Sequence, residues 1–178
     1  MDIRVVSESI FNIESDCIVY FVDNAFSNED TMEIITKAGN RLLDVFSKIS
    51  SLATGEFKTV PAFNLKATYV VLCSIPPKIE KEEDEKFLEE IFSDILVEIE
   101  RHKFNTLAVD VTRLSNSYSS KHSEILKKLK PMILKCEFWY CIFSFHFLDF
   151  WQSYHSLLIG QRKRLELFRS FVGYSKNI

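Results

Sequence analysis

Two strand-like runs in the middle of the chain constrain the fold more than any other feature. Residues 57–63 form the first run and residues 68–73 the second, with only NLKA at 64–67 between them. The second run, TYVVLC, is β-branched and aromatic, as in a buried strand. A connection of four residues predicts that the two strands lie next to each other in one sheet, joined by a compact turn.

Elsewhere the predicted strands alternate with predicted helices. Residues 3–6, 17–22, 106–111 and 138–147 are strand-like, and CIVYFV at 17–22 is apolar throughout, as in a central strand covered on both faces. One helix is predicted from Glu29 to about Ser47 and others at 123–134 and 148–159. The helix from Glu29 has apolar residues at helical spacing: Met32, Ile35, Ala38, Leu42, Val45 and Phe46. The clearest helix follows an acidic loop at 76–85 and has apolar residues on one face: Phe87, Leu88, Ile91, Phe92, Ile95, Leu96 and Ile99. This order predicts a three-layer α/β/α sandwich over residues 1–159, with a mixed central sheet and helices on both faces.

Composition narrows the class of protein. The chain has 178 residues, enough for one domain with its own core, and a formal charge of −3, which argues against non-specific nucleic-acid binding by the whole domain. The four cysteines and four histidines show no metal-ligand spacing, so we expect reduced, buried thiols and neither a metal nor a cofactor. The first residues show no secretory signal pattern, and no apolar stretch is long enough to cross a bilayer. We therefore expect a cytoplasmic protein.

Four stretches, in the right order and spacing, resemble the macro domain, the ADP-ribose-binding fold. Residues 3–11 look like the family's opening strand and its G-D-I-T/F turn, and SDCIV at 15–19 is similar to x-D-A-I/V-V. Ala38-Gly39 falls where the first helix of the family has A-G. The longest match starts at TGE (54–56) and continues through PAFNLKATYVV (61–71), which resembles T-G-E/D…G-Y-N-L-P-A-K-Y-V-I-H. The likeness spans about residues 3–73, and the order of elements extends it to about residue 159.

The resemblance implies a ligand site in segments where this sequence departs from the family. In the family an aspartate after the first strand accepts a hydrogen bond from adenine; here Ser9 stands at that position, followed by Ile10. The family's N-A-A-N run ends in an asparagine that orients the ribose and a catalytic water. Here the run YFVD ends in Asp23, and Asn24 comes one residue later. Asp23 and Asn24 are therefore the candidate catalytic residues.

Both glycine-rich phosphate loops of the family are replaced. The first becomes AFSNED at residues 25–30 and the second TRLSNSY at 112–118. A phosphate cradle needs backbone N–H groups that point inward, often at φ angles that only glycine adopts without strain. The carboxylates of Asp23, Glu29 and Asp30 would also repel a diphosphate there.

Several of these residues have two interpretations. Asp23 can act as a general base at the end of a central strand, or it can cap the turn or helix that follows, and Asn24 has the same two roles open. Phe26 can stack on a base or fill the cleft with apolar bulk, and we favour the second.

In the second loop, Arg113, Ser115 and Tyr118 are the candidate ligand-binding residues. Arg113 can supply a charged fork for phosphate or carboxylate in place of glycine amides, or it can be a solvated loop residue. Tyr118 falls where the family has an aromatic residue near the distal ribose, and it can equally be a packing residue.

Residues 160–178 form a basic tail beyond the resemblance. Four cations, Arg162, Lys163, Arg164 and Arg169, are interleaved with the apolar residues Leu165, Leu167, Phe168, Phe171 and Val172. The pattern predicts a basic amphipathic helix. Such a helix packs its apolar side on the parent domain, or docks on a protein partner, RNA or an anionic membrane.

These observations predict a degenerate macro-type module, without hydrolase activity, that acts as a ligand-binding or protein-interaction domain. Two alternatives stay open. One is weak binding of ADP-ribose or a related nucleotide, with hydrolysis by a rebuilt site. The other is RNA or protein binding through the basic tail.

Overall fold

A six-stranded sheet forms the centre of the described structure. The structure, a computed structural model, describes residues 2–76, 78–79, 81–112, 114, 127, 129 and 140–144. Its strands are β1 (Asp2–Val6), β2 (Cys17–Val22), β3 (Phe57–Pro61), β4 (Tyr69–Ser74), β5 (Thr106–Asp110) and β6 (Tyr140–Ser144). Their order in the sheet is β1-β6-β5-β2-β4-β3. Only β3 is antiparallel to its neighbour, β4, and the other pairings are parallel. The predicted mixed sheet is confirmed.

Helices cover both faces of this sheet. They are α1 (Glu29–Ala38), α2 (Asn40–Ile49) and α3 (Glu82–Arg101), together with a short 3-10 helix at Ile10–Asn12. On one face, α3 packs on the odd-numbered side chains of β2, β4 and β5. On the other face, α1, α2 and the 3-10 helix pack on the even-numbered ones. The predicted three-layer sandwich is therefore confirmed.

Strand β2 lies between β4 and β5 and is buried on both faces. All six of its side chains are at most 3% exposed. Cys17, Val19 and Phe21 face α3, whereas Ile18, Tyr20 and Val22 face α1 and α2. The uninterrupted apolar run follows from this position, because a strand covered on both faces has no solvent side on which to place polar residues.

The prediction of a single helix from Glu29 to Ser47 is wrong, because the helix is interrupted at Gly39 and α1 and α2 are separate. This residue has φ +89°, and a Cβ placed on it would lie 2.6 Å from Nδ2 of Asn64. The spacing of apolar residues does not indicate this break. Ala38, Leu42 and Phe46 are all buried, so the helical spacing continues across Gly39. Met32 lies on the solvent side, 55% exposed, and Ile34 takes its place in the core.

The pair of strands that organises the sequence is present with slightly different bounds. The chain turns between Pro61 and Tyr69, and the N–H of Ala62 donates to the carbonyl of Thr68 at 3.0 Å. Gly55, just before β3, has φ +92°, and a Cβ there would lie 2.6 Å from the ring of Phe87. Phe87 was placed on the inward face of α3, but it is 36% exposed because it packs over this glycine. The other apolar residues predicted for the inward face of α3 are buried.

Two of the predicted buried thiols are described. Cys17 and Cys73 are free and buried, and desolvation raises the pKa of each to about 12. Apart from Lys127 and Leu129, the helices predicted at 123–134 and 148–159 lie outside the described residues, as does the tail at 160–178. In the described part of the chain, no helix is both long and apolar enough to cross a bilayer.

Candidate functional site

The candidate residues lie along the edge of the sheet where the parallel strands end. Strands β1, β6, β5, β2 and β4 run in the same direction, so their carboxyl ends meet at one edge. Ser9 follows β1, Asp23 and Asn24 follow β2, and Asp110 ends β5. Ligands of open α/β sheets bind outside this edge. This edge is therefore the candidate site.

The carboxylate of Asp23 is surrounded by donors from its own loop. Both of its oxygens accept the N–H of Ser27 at 3.0 Å, and Oδ2 also accepts the Ser27 hydroxyl at 3.0 Å. Oδ1 accepts the N–H of Asn28 at 3.2 Å and the hydroxyl of Thr31 at 3.1 Å. Asn28 in turn caps α1 by accepting the N–H of Thr31 at 2.8 Å. Asp23 thus holds the β2–α1 loop and the first turn of α1 together.

These donors stabilise the ionised form of Asp23. Partial burial opposes ionisation, but the N–H groups of Ser27 and Asn28 and the hydroxyls of Ser27 and Thr31 outweigh it. The pKa of Asp23 therefore lies below its ordinary value of 3.8. A carboxylate whose pKa lies below its ordinary value is a weak general base at neutral pH.

Asn24 joins three segments at the same edge. Its side-chain Nδ2 donates to Oγ1 of Thr54 at 2.9 Å, and its Oδ1 accepts the hydroxyl of Ser74 at 2.5 Å. Its carbonyl accepts the N–H of Leu52 at 3.1 Å. The amide therefore links the loop after β2 to the segment before β3 and to the end of β4.

Phe26 points its ring toward the core. Its centroid lies 4.5 Å from that of Phe46 on α2, with the rings at 69°, and the side chain packs against the cluster under α1 and α2. Its backbone has φ +57°, in the left-handed region. The ring occupies space beside α2 in the described structure, which agrees with the interpretation of Phe26 as apolar filling.

The candidates after β1 divide into one exposed and one buried residue. Ser9 is exposed, and its carbonyl accepts the N–H of Asn12 at 2.9 Å in the 3-10 helix. Ile10 is 2% exposed, and its side chain belongs to the core on the α1 face. Of the two side chains, only that of Ser9 is open to solvent.

Asp110 is a buried carboxylate that the sequence argument did not select. It is 7% exposed at the end of β5, and it accepts the N–H of Thr112, itself 9% exposed, at 3.0 Å. The sequence did contain a signal, because Asp110 is the only charged residue in the otherwise apolar TLAVDV run. Arg113, Ser115 and Tyr118 lie outside the described residues, so the second loop is described only to Thr112 and at Leu114.

The opposite edge of the sheet has a shallow depression of about 460 Å³. It is lined by Glu14, Ser15, Asp16, Lys66 and Thr106. The Asp16 carboxylate accepts the N–H groups of Asn105 and Thr106 at 2.7 and 3.0 Å, so it closes the turn before β5. Neither edge holds a group of three or more potential metal ligands within the described residues.

Fold and site together define an α/β domain whose candidate ligand edge is occupied by its own polar side chains. Residues 31–111 match the family model of the Macro domain. The structure resembles the macro domain of ganglioside induced differentiation associated protein 2, at TM-score 0.72 and 18% identity, covering 88% of this chain and 82% of that one. It also resembles a Trypanosoma brucei macrodomain in complex with ADP-ribose, at TM-score 0.74 and 16% identity, covering 88% and 68%. A mutant Oceanobacillus iheyensis macrodomain with ADPR gives TM-score 0.73 at 16% identity, covering 88% and 93%. No curated protein matches the chain. The chain has the macro-domain fold, and the resemblance seen in its sequence is confirmed.

Proposed function

We propose that this chain is a macro-type module without hydrolase activity that acts as a ligand-binding or protein-interaction domain. The observation that carries the proposal is the set of donors around Asp23. The N–H groups of Ser27 and Asn28, just before α1, already bind this carboxylate. A phosphate at the start of a helix would use N–H groups of this kind. The chain's own anion thus takes the position that phosphate oxygens would need.

Repulsion between carboxylates and phosphate also disfavours a diphosphate in this loop. Glu29 and Asp30 follow in the first turn of α1, close to Asp23 in sequence. A phosphate charge about 5 Å from one carboxylate, at an effective dielectric constant of about 20, is disfavoured by about 3 kcal/mol. A micromolar dissociation constant corresponds to about 8 kcal/mol, so two or three such contacts cancel most of it. Diphosphate binding in this loop would need Asp23 to move or to be protonated.

The two candidate catalytic residues are also engaged elsewhere. Asp23 has a lowered pKa and accepts from four donor groups. The side chain of Asn24 bonds both Thr54 and Ser74. A general base must be within hydrogen-bond reach of a water that attacks the substrate, with a pKa suited to accept its proton. These contacts favour a structural role for both residues over hydrolysis.

Binding of ADP-ribose is the second candidate function. It is supported by the neighbours in the fold comparison, one of which is a macrodomain in complex with ADP-ribose and another a macrodomain in complex with ADP. In this alternative, Ser9 and the segment after Asp110 would hold the nucleotide while the β2–α1 loop rearranges.

A thermal-unfolding titration with ADP-ribose separates the two candidates. A ligand present at 100 times its dissociation constant stabilises a protein by about 2.7 kcal/mol, which is about 5–10 °C for a domain of this size. We expect no rise in Tm at millimolar ADP-ribose, with the Trypanosoma brucei macrodomain as the positive control. A saturable rise of several degrees would establish binding of ADP-ribose and refute the inference that Asp23 excludes a diphosphate from the β2–α1 loop.

An activity assay addresses hydrolysis separately. The wild-type chain is incubated with an ADP-ribosylated protein, and release of ADP-ribose is measured. We expect no turnover above the rate without enzyme. Turnover that is abolished in both Asp23→Ala and Asn24→Ala would overturn the claim that the module lacks hydrolase activity.

A further inference from the structure

The outer surface of α3 carries a stripe of acidic and apolar side chains. Five exposed residues at spacings of four and three positions share this face of the helix: Glu83, Phe87, Glu90, Asp94 and Val97. Residues at such spacings are neighbours along one face. Val97 is 62% exposed, the largest exposure among the exposed large apolar residues of the described structure. We call these five residues the α3 stripe.

The helix is strongly acidic, and its negative charges are poorly balanced. It contains nine acidic and two basic residues. Lys86 pairs with Glu82, and Arg101, which follows Val97 by one turn at the end of the same face, pairs with Glu98. Within the described residues, the stripe carboxylates of Glu90 and Asp94 have no ion-pair partner, although like charges at this spacing destabilise a helix. The stripe therefore presents an apolar surface set in uncompensated negative charge.

The tail has the complementary pattern. Residues 160–178 contain five basic residues and one acidic residue. At spacings of three and four positions, Arg162, Leu165, Arg169 and Val172 alternate cation and apolar side chain. A helix with this pattern places its cations on the same side as its apolar residues, as the α3 stripe does with its anions.

We propose that residues 160–174 of the tail dock on the α3 stripe of the same chain. With the two helices parallel, Leu165 and Val172 would cover the exposed edge of Phe87 and Val97, while Arg162 faces Glu83 and Arg169 lies between Glu90 and Asp94. The connection is long enough, because β6 ends at Ser144 and 17 residues follow before Arg162. With the predicted helix at 148–159 and the other five residues extended, they span about 35 Å. The 20 residues of α3 are only about 30 Å long.

Tethering favours this occupant over RNA. A segment in the same chain as its binding surface meets that surface at an effective concentration that reaches the millimolar range when the connection is of suitable length. An RNA would have to displace α3 from the same cations and would be repelled by the nine acidic residues beside them. The docked tail also adds apolar cover to a helix face that is otherwise solvated.

Hydrogen–deuterium exchange on the full chain tests the docking. We expect protected amides at 165–172 in the wild type. In Asp94→Lys, exchange should accelerate on the order of tenfold, because local protection follows the stability of the docked state. The matched control is Asp44→Lys, the same change at an exposed aspartate of α2 on the opposite face of the sheet, and it should leave the tail unchanged. The exchanged pair Asp94→Arg with Arg169→Asp should restore protection.

Three outcomes would overturn the proposal. The first is a wild-type tail that exchanges as fast as an unstructured peptide. The second is equal acceleration in Asp94→Lys and Asp44→Lys, which would indicate a general effect of charge. The third is wild-type binding of a single-stranded uridine oligonucleotide that requires Arg162 and Arg169 and does not strengthen in Asp94→Lys. That result would assign the tail to RNA.

Discussion

Replacing Asp23 with alanine removes the acceptor that holds the β2–α1 loop. The N–H groups of Ser27 and Asn28 lose their partner, and so do the hydroxyls of Ser27 and Thr31. Two of these donors are exposed enough to bind water instead, but Thr31 is fully buried. Loss of a capping side chain costs about 1 kcal/mol, and a buried donor left without a partner costs about 1–3 kcal/mol more. We expect Asp23→Ala to lower the free energy of unfolding by about 2–4 kcal/mol, or the Tm by about 4–16 °C.

Urea unfolding followed by circular dichroism measures this loss, and Asp44→Ala provides the control. Asp44 is an exposed carboxylate on α2, so its removal should change stability by less than about 0.5 kcal/mol. A loss below about 0.5 kcal/mol for Asp23→Ala as well would show that the carboxylate does not hold the loop. The Asp23 carboxylate would then also not be shown to occupy a position that binds an anion.

The variant Asp23→Asn measures how much the negative charge of the Asp23 carboxylate contributes to stability. Asparagine keeps one side-chain oxygen but not the carboxylate, so we expect an intermediate loss at neutral pH. Because the pKa of Asp23 is lowered in the folded protein, the unfolded state takes up the proton more readily. The stability from the charge is present above the ordinary value of 3.8 and is lost as the pH falls through the lower folded-state pKa. The difference in stability between wild type and Asp23→Asn should therefore shrink as the pH falls below 3.8 and through the lower folded-state pKa. If the difference in stability between the two proteins grows as the pH falls, the pKa of Asp23 is not lowered in the folded protein.

Two further predictions concern the scaffold. Gly39→Ala should destabilise by about 1–3 kcal/mol in urea, because its φ of +89° is strained for any other residue and the new Cβ would meet Asn64; a neutral effect would mean that the break between α1 and α2 is not fixed there. Cys17 and Cys73 should resist iodoacetamide at pH 8 in the folded protein and react in urea, because both are buried with pKa values of about 12; peptide mass mapping that finds either one modified without denaturant would contradict this.

The layers of the fold could be predicted because burial leaves a periodic trace in the sequence. The run at 17–22 is apolar because β2 is covered on both faces, and the spacing of Leu88, Ile91 and Ile95 follows the buried side of α3. The break at Gly39 left no such trace, since the buried residues on either side of it keep one helical register. At the break Gly39 has φ +89°, and Asn64, 25 positions away, lies 2.6 Å from the place of a Cβ, a proximity that no local pattern reports.

The position of the candidate edge could be predicted from the sequence. The hydrogen-bond partners of the side chains at that edge could not. That Asp23 ends a central strand is evident from the sequence. Whether its carboxylate faces a ligand or its own loop depends on where the N–H groups of Ser27 and Asn28 point, and backbone angles set that direction. The residue pattern therefore left both roles of Asp23 open, with capping favoured, and the hydrogen bonds favour capping too.

Glycine is needed for the fold at some positions, whereas in the candidate ligand loop it can be replaced without loss of the fold. Gly39 and Gly55 each have a positive φ, which is strained for other residues, so their backbone conformation favours glycine whether or not a ligand binds. Phe26 has φ +57°, a conformation that glycine adopts without strain and that costs other residues about 1–2 kcal/mol. The contact of its ring with Phe46 offsets a cost of this size, because an aromatic pair adds about 0.5–1.5 kcal/mol to the gain from burial. If this loop binds no phosphate, as we propose, glycine is not needed at position 26 and this exchange is tolerated. Glycine at position 26 alone would therefore not restore a phosphate loop, since the amides of Ser27 and Asn28 would still be bound to Asp23.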